Sequence, residues 1–161
     1  MPLLLARIDD RLIHGQVVHG WGGKLRPTWI GIVSDALSQE PARAALYVFA
    51  APEGSQAEVI SIPEALREST RQKILAERSF LLFPSALEPL RLKEGGFPLE
   101  EVNVGGLHHA PGKAAVLPYV YLDATDRDYL LSLSRLGVRV VAQDLPTNPA
   151  HPLEALLQGT A

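Results

Sequence analysis

The chain of 161 residues contains no cysteine. Disulfides, thiolate metal sites and a thiol nucleophile are therefore excluded. Nor is there any excess of basic charge. The net charge of −3 leaves no electrostatic footprint for nucleic acid. Long apolar runs are missing too: Leu3–Ala6 and Ala44–Ala51 fall far short of the ~20 residues that cross a bilayer. The first ten residues lack the charged start and apolar core of a signal peptide, with Arg7, Asp9 and Asp10 already in place. No internal repeat, low-complexity tract or flexible linker divides the sequence. The expectation is a cytoplasmic protein forming one domain over residues 1–161, a size that buries ~70% of the unfolded chain's surface.

What is present is alternation. Apolar runs at Leu3–Ile8, Trp29–Val33, Ala57–Ser61, Ser79–Phe83, Glu101–Val104, Val120–Leu122 and Val138–Ala142 read as strands. Several are apolar nearly throughout, as in strands covered on both faces. Between them, Gln16–Lys24, Glu40–Ala50, Pro63–Ser69, Ala86–Glu94 and Thr125–Leu136 read as helices. Ser38 and Thr125 are candidate N-caps, and Gly95 and Gly137 are candidate stops. The pattern predicts an α/β fold with a largely parallel sheet between helical layers. Sites in such folds form at the carboxyl ends of strands, so the loops to inspect are 9–15, 34–39, 84–85 and 105–113.

The first loop is the most informative. Residues 7–14 place two arginines, two aspartates and a histidine in eight positions, between a strand and a helix. Neutral imidazole is nucleophilic at physiological pH, its unperturbed pKa being ~6.5. Arg7 and Arg11 supply planar forks that match phosphate. Gly15 and Gln16 fall at the helix start, where backbone N–H groups and the helix dipole favour an anion. Either aspartate can accept a hydrogen bond from the unreacted ring nitrogen of His14, and Asp10 can also brace the loop through backbone N–H groups. Residue types alone leave two readings open, a salt-bridged cap and an anion-handling site.

The string Arg-Ile-Asp-Asp-Arg-Leu-Ile-His-Gly-Gln-Val at 7–17 resembles the active-site signature of IIB subunits of the mannose/sorbose family of sugar phosphotransferase systems. Ser34-Asp35, Ala50-Ala51-Pro52, Val102-Asn103-Val104-Gly105-Gly106 and the stretch from Gly137-Val138 to Leu145-Pro146 resemble further family segments in the same order. The resemblance implies a three-layer α/β/α fold with an open, twisted, mostly parallel sheet of about six to seven strands. The first strand would be central, so that the loops after it, after Phe83 and after Val104 converge. It also implies that His14 accepts a phosphoryl group on Nδ1 from a IIA partner. The group then passes to a sugar held by the membrane subunits IIC and IID. Arg7, Asp10 and Arg11 would belong to the phosphate-binding loop, with Asp35 and Ser85 as neighbours. A homodimer is compatible with the family. No cofactor or metal is expected, only a transient phosphohistidine. The alternative with the same chemistry is a regulatory phospho-switch uncoupled from transport. His108-His109 departs from the family pattern.

Other motifs are weaker. His19 stands five positions after His14, a spacing that does not stack two ligands on one helix face. Gly106–Lys113 mimics a nucleotide phosphate loop, but has one residue too many and Ala114 where Ser or Thr belongs. Gly20-Trp21-Gly22-Gly23 follows a helix instead of opening one. Trp21 and Trp29 read as packing residues, with Trp21 placed to border the site.

Overall fold

Buried strands sort their side chains onto two faces with a period of two. In β1 (Leu3–Asp9), Ala6 and Ile8 join one apolar cluster and Leu5 the other. In β2 (Trp29–Val33), Trp29 and Val33 lie on the first side, Ile30 and Ile32 on the second. In β4 (Ser79–Phe83), Leu81 and Phe83 oppose Phe80 and Leu82. With both faces apolar, these strands must be covered twice, and the helices do that.

The computed structural model describes residues 3–158. Its seven-stranded sheet has the order β3-β2-β4-β1-β5-β8-β9, parallel except at the last pair. The remaining strands are β3 (Gln56–Ile60), β5 (Glu101–Gly106), β8 (Arg139–Ala142) and β9 (His151–Pro152). On one face, α5 (Glu68–Ala76), α6 (Leu87–Glu94), α7 (Ala124–Arg135) and α8 (Leu153–Gln158) bury Ile74, Leu90, Leu130 and Leu156. On the other, Val17 and Trp21 of a π-helix at Gln16–Trp21 pack with Leu37 of α2 (Asp35–Ser38). α1 (Gly22–Leu25) continues the π-helix, and α3 (Pro41–Phe49) flanks β3. The expected three layers are present, with β1 at the centre between β4 and β5.

Several local expectations change. The helix expected at 63–69 is two helices, α4 (Ile62–Leu66) and α5, broken where Arg67 turns extended. Only Ile74 of α5 is buried, so the polar run preceding it carries little helical periodicity. Ser38 ends α2 and Thr125 lies inside α7. The caps are Ser34, whose Oγ accepts from Leu37 N–H, and Asp123, which forms a capping box with Asp126. Gly95 and Gly137 do follow helices, Gly137 in the left-handed region at φ 88°. The strand at 120–122, β7, pairs antiparallel with β6 (Ala114–Leu117) in a separate ribbon, not in the main sheet.

Candidate active site

Parallel neighbours end on the same edge, so the loops after β1, β4 and β5 meet. Alternation puts Arg7 and Asp9 on Leu5's face, beneath the π-helix. Both side chains are completely buried. After Asp9 the chain turns sharply. Leu12 donates its N–H to the Asp9 carbonyl at 3.0 Å and adopts φ 58°. A left-handed non-glycine residue costs about 1–2 kcal/mol; burial of the Leu12 side chain in the second cluster holds it there. The π-helix begins two residues after His14. Its wide turn shows in Gly22 N–H donating to Val17 O, and a Cβ on Gly22 would stand 2.8 Å from that oxygen. Such turns concentrate at functional sites.

Asp9 is the hub of the site. Its Oδ2 accepts from Arg7 Nη2 at 3.0 Å, Arg7 Nε at 3.3 Å and His14 Nε2 at 2.8 Å. Its Oδ1 accepts from Arg11 N at 3.0 Å and Arg11 Nε at 3.5 Å. Burial pushes the Asp9 carboxyl up, but the His14 hydrogen bond and the Arg7 charge outweigh it and hold it below the usual carboxylate range. Burial pulls Arg7 downward against Asp9, yet a guanidinium stays charged in proteins. A buried ion pair repays its desolvation only when its remaining hydrogen-bonding groups are satisfied. Here they are: Arg7 Nη1 donates to Asn103 Oδ1 at 2.8 Å and Gln143 O at 3.1 Å, and Nη2 also reaches Gln16 Oε1 at 3.3 Å.

His14 is 16% exposed, so the ring is held yet reachable. Donation of Nε2–H to ionised Asp9 selects one tautomer and leaves the lone pair on Nδ1. Toward Nδ1 points the Gln16 backbone N–H, at 3.4 Å. Arg11 Nη2 donates to Gln16 Oε1 at 2.9 Å. A carboxylate-anchored imidazole beside two guanidiniums can present a nitrogen nucleophile and neutralise an anion bonded to it.

The double glycine contributes by what it omits. A Cβ on Gly105 would overlap the Arg7 guanidinium, and one on Gly106 would stand 3.1 Å from Asp9 Oδ1. The register sets Arg7 opposite Asn103, whose Nδ2 also donates to Gln143 O at 3.1 Å. Trp21 borders the site as expected. Arg7 Cζ lies 5.7 Å from its ring centre, and its Nε1–H donates to Asp144 O at 2.8 Å.

Of the residues expected at the site, the structure brings Arg7, Arg11 and Gln16 together with His14. Gly15 joins the loop to the π-helix and is exposed; a Cβ there would meet nothing within 4 Å. Asp10 faces elsewhere, accepting His108 N–H at 2.7 Å and bonding the His108 ring at 2.5 Å. Asp35 is committed to Ile62 N–H at 2.7 Å, and Ser85 bonds Glu88 at 2.5 Å and Leu87 N–H at 3.2 Å. Neither makes a hydrogen bond to the His14 cluster. The loops still approach one another: Asp10, Leu12, Ser34, Pro84 and Glu88 line a cleft of about 190 Å³. Asp9, open in role from the sequence, is the central carboxylate. Asn103 and Gln143 are not among the site residues expected from the sequence; both lie inside family-like segments, and Gln143 acts through its backbone carbonyl, which carries no side-chain signal.

The fold and the site together define a three-layer α/β protein that sets an anchored histidine beside two guanidiniums where its central strands end. Residues 3–161 match the family model described as the sorbose subfamily IIB component of the phosphotransferase system (PTS), and the chain belongs to that family. It is 36% identical over 155 residues to the sorbose-specific EIIB component of Lacticaseibacillus casei, covering 96% of this chain and 94% of that one. It is also 36% identical over 149 residues to the mannose-specific EIIAB component of Escherichia coli K12, covering 92% of this chain but 46% of that protein. The crystal structure of the IIBSor domain of the Klebsiella pneumoniae sorbose permease superposes with a TM-score of 0.91 at 31% identity, covering 100% of this chain and 99% of that one. IIB components are phosphotransferases that receive phosphate from IIA and pass it to sugar. Among the described residues no helix is long and apolar enough to cross a membrane.

Proposed function

We propose that His14 is the phosphoryl acceptor and that Nδ1 is the attacking atom. The observation that carries this reading is the 2.8 Å bond from His14 Nε2 to buried Asp9, which leaves Nδ1 as the nucleophilic nitrogen. In the transfer, the Nδ1 lone pair forms an N–P bond as the donor phosphohistidine's N–P bond breaks. The electron pair returns to the donor imidazole. Asp9 holds the Nε2 proton and offsets the positive charge the ring gains. Arg11 and Arg7 neutralise the phosphoryl oxygens, and positioning with charge neutralisation supplies most of the catalysis in phosphoryl transfer. Neither a cofactor nor a metal enters this scheme; the only modified state is transient phospho-His14.

The donor is a IIA protein or domain, and the phosphoryl group goes to a sugar bound by membrane subunits IIC and IID. The protein then works in the cytoplasm, peripherally associated with those subunits. Sugar-specific names throughout the relatives favour transport over a regulatory phospho-switch. A homodimer belongs to the same proposal, and sedimentation equilibrium decides it. The central test incubates wild type and His14→Ala with phosphoenolpyruvate, the general phosphotransferase proteins and a competent IIA partner. An acid-labile gain of one phosphoryl mass on wild type alone supports the assignment; equal gain on His14→Ala overturns it.

A further inference from the structure

Arg7 has five N–H donors, and every one is engaged. Two go to Asp9, one to Asn103 and one to the Gln143 carbonyl. These four hydrogen bonds run to three residues, on β1, on β5 and just past the end of β8, the rigid middle of the sheet. The fifth N–H, on Nη2, goes to Gln16 Oε1 at 3.3 Å. The guanidinium is wholly buried and rests against Gly105, so it cannot swing to find other acceptors. The same Gln16 oxygen takes 2.9 Å donation from Arg11 Nη2. A single neutral oxygen thus sits between two guanidiniums, on the residue whose backbone N–H faces His14 Nδ1.

Building on the assignment of His14 as phosphoryl acceptor, we infer that the Gln16 side-chain oxygen is a displaceable placeholder for a phosphoryl oxygen. While His14 is unmodified, the amide satisfies the one Arg7 donor not tied to the sheet, together with Arg11. When the N–P bond forms, a phosphoryl oxygen takes over both donors and the amide swings out. Gln16 is a positioning residue in this scheme. It keeps the cationic pair oriented without the affinity a carboxylate would have, and its return helps the group leave. A carrier needs that balance, because a site that bound the phosphoryl group too tightly would not pass it on. An amide oxygen suits the role, being a weaker partner for guanidinium than an anionic oxygen. Gln16 lies at the opening of the π-helix, so its side chain can move without shifting β1.

Two readouts test this, neither of which a merely structural role would move in the same way. Inorganic phosphate is titrated into unphosphorylated wild type, Gln16→Ala and Gln16→Glu. Removing the competing oxygen is expected to tighten phosphate binding about tenfold, whereas a fixed carboxylate weakens it by about tenfold or more. Affinities within twofold of one another across the folded variants overturn the placeholder. Should Gln16→Ala fail to fold, the near-isosteric Gln16→Glu and the wild type carry the test. In ¹⁵N–¹H spectra of wild type phosphorylated with potassium phosphoramidate, the Gln16 side-chain amide resonances are expected to move while Arg7 Nε–H stays. Unmoved Gln16 resonances in protein carrying the group on His14 overturn the inference and leave the phosphocarrier reading intact. If His14 takes no group from phosphoramidate or from IIA, the phosphocarrier reading falls, and the phosphate titrations judge the oxygen's role alone.

Discussion

His14 Nε2 and Asp9 Oδ2 lie 2.8 Å apart, and that same carboxylate oxygen receives two N–H groups of Arg7. One buried atom thereby joins the nucleophile to the strand's fixed cation. Removing the charge at Asp9 affects both partners. Asp9→Asn is expected to leave Arg7 as an uncompensated buried charge, destabilising the fold by about 3–5 kcal/mol. Urea denaturation at neutral pH measures this, and a loss below 1 kcal/mol would contradict the hub assignment.

The depressed Asp9 carboxyl fixes the sign of a pH effect. Its folded pKa lies below the unfolded value of ~3.9, so the unfolded state binds the proton more readily. The stabilisation is fully present above the unfolded pKa and disappears as pH falls through the folded one. Urea midpoints of wild type are expected to drop in that acid window, while a folded Asp9→Asn variant gives a flatter acid limb.

Gly105 and Gly15 differ in what surrounds them. A Cβ on Gly105 would overlap the Arg7 guanidinium, whereas one on Gly15 would meet nothing within 4 Å. Gly105→Ala is expected to cost about 4 kcal/mol or more, because the buried guanidinium has nowhere to retreat. Gly15→Ala, at a helical φ of −51°, is expected to leave stability within about 1 kcal/mol. Thermal melts of the two variants test the contrast.

Arg11 is the exposed member of the arginine pair, its side chain 39% accessible. Arg11→Ala is expected to change stability by no more than about 1 kcal/mol. It is expected to slow phosphorylation of His14 by about 10²-fold or more, as loss of one charge-stabilising donor does elsewhere. Single-turnover transfer from phosphorylated IIA measures the rate, and unchanged kinetics would remove Arg11 from the mechanism.

The pair of Asp10 and His108 ties the loop after β1 to the loop after β5 across the surface. Both side chains are partly exposed, His108 by 47% and Asp10 by 34%. His108→Ala is therefore expected to cost only about 0.2–1 kcal/mol. A larger loss in urea denaturation would show that the loop clamp supports the core.

The sequence by itself determined the layers and the first site loop. Doubly buried strands are apolar nearly throughout, and Leu3–Ile8, Trp29–Val33 and Ser79–Phe83 are visible for that reason. His14 and its arginines were legible because their spacing and their family-like string are local. The division of labour between the aspartates was not, since adjacent strand-end residues point to opposite sides and only packing says which side meets His14. Asp9 falls under the π-helix and Asp10 meets the loop after β5. The sequence also grouped Asp35 and Ser85 with the site, yet their hydrogen bonds go to Ile62 N–H and Glu88. Tertiary structure alone set Arg7 against Gly105 and the Gln143 carbonyl, and turned Gln16 onto both arginines. The physical reason is distance along the chain: the register of β1 against β5 and the wide turn after His14 are outcomes of packing, and no short window of residues encodes them.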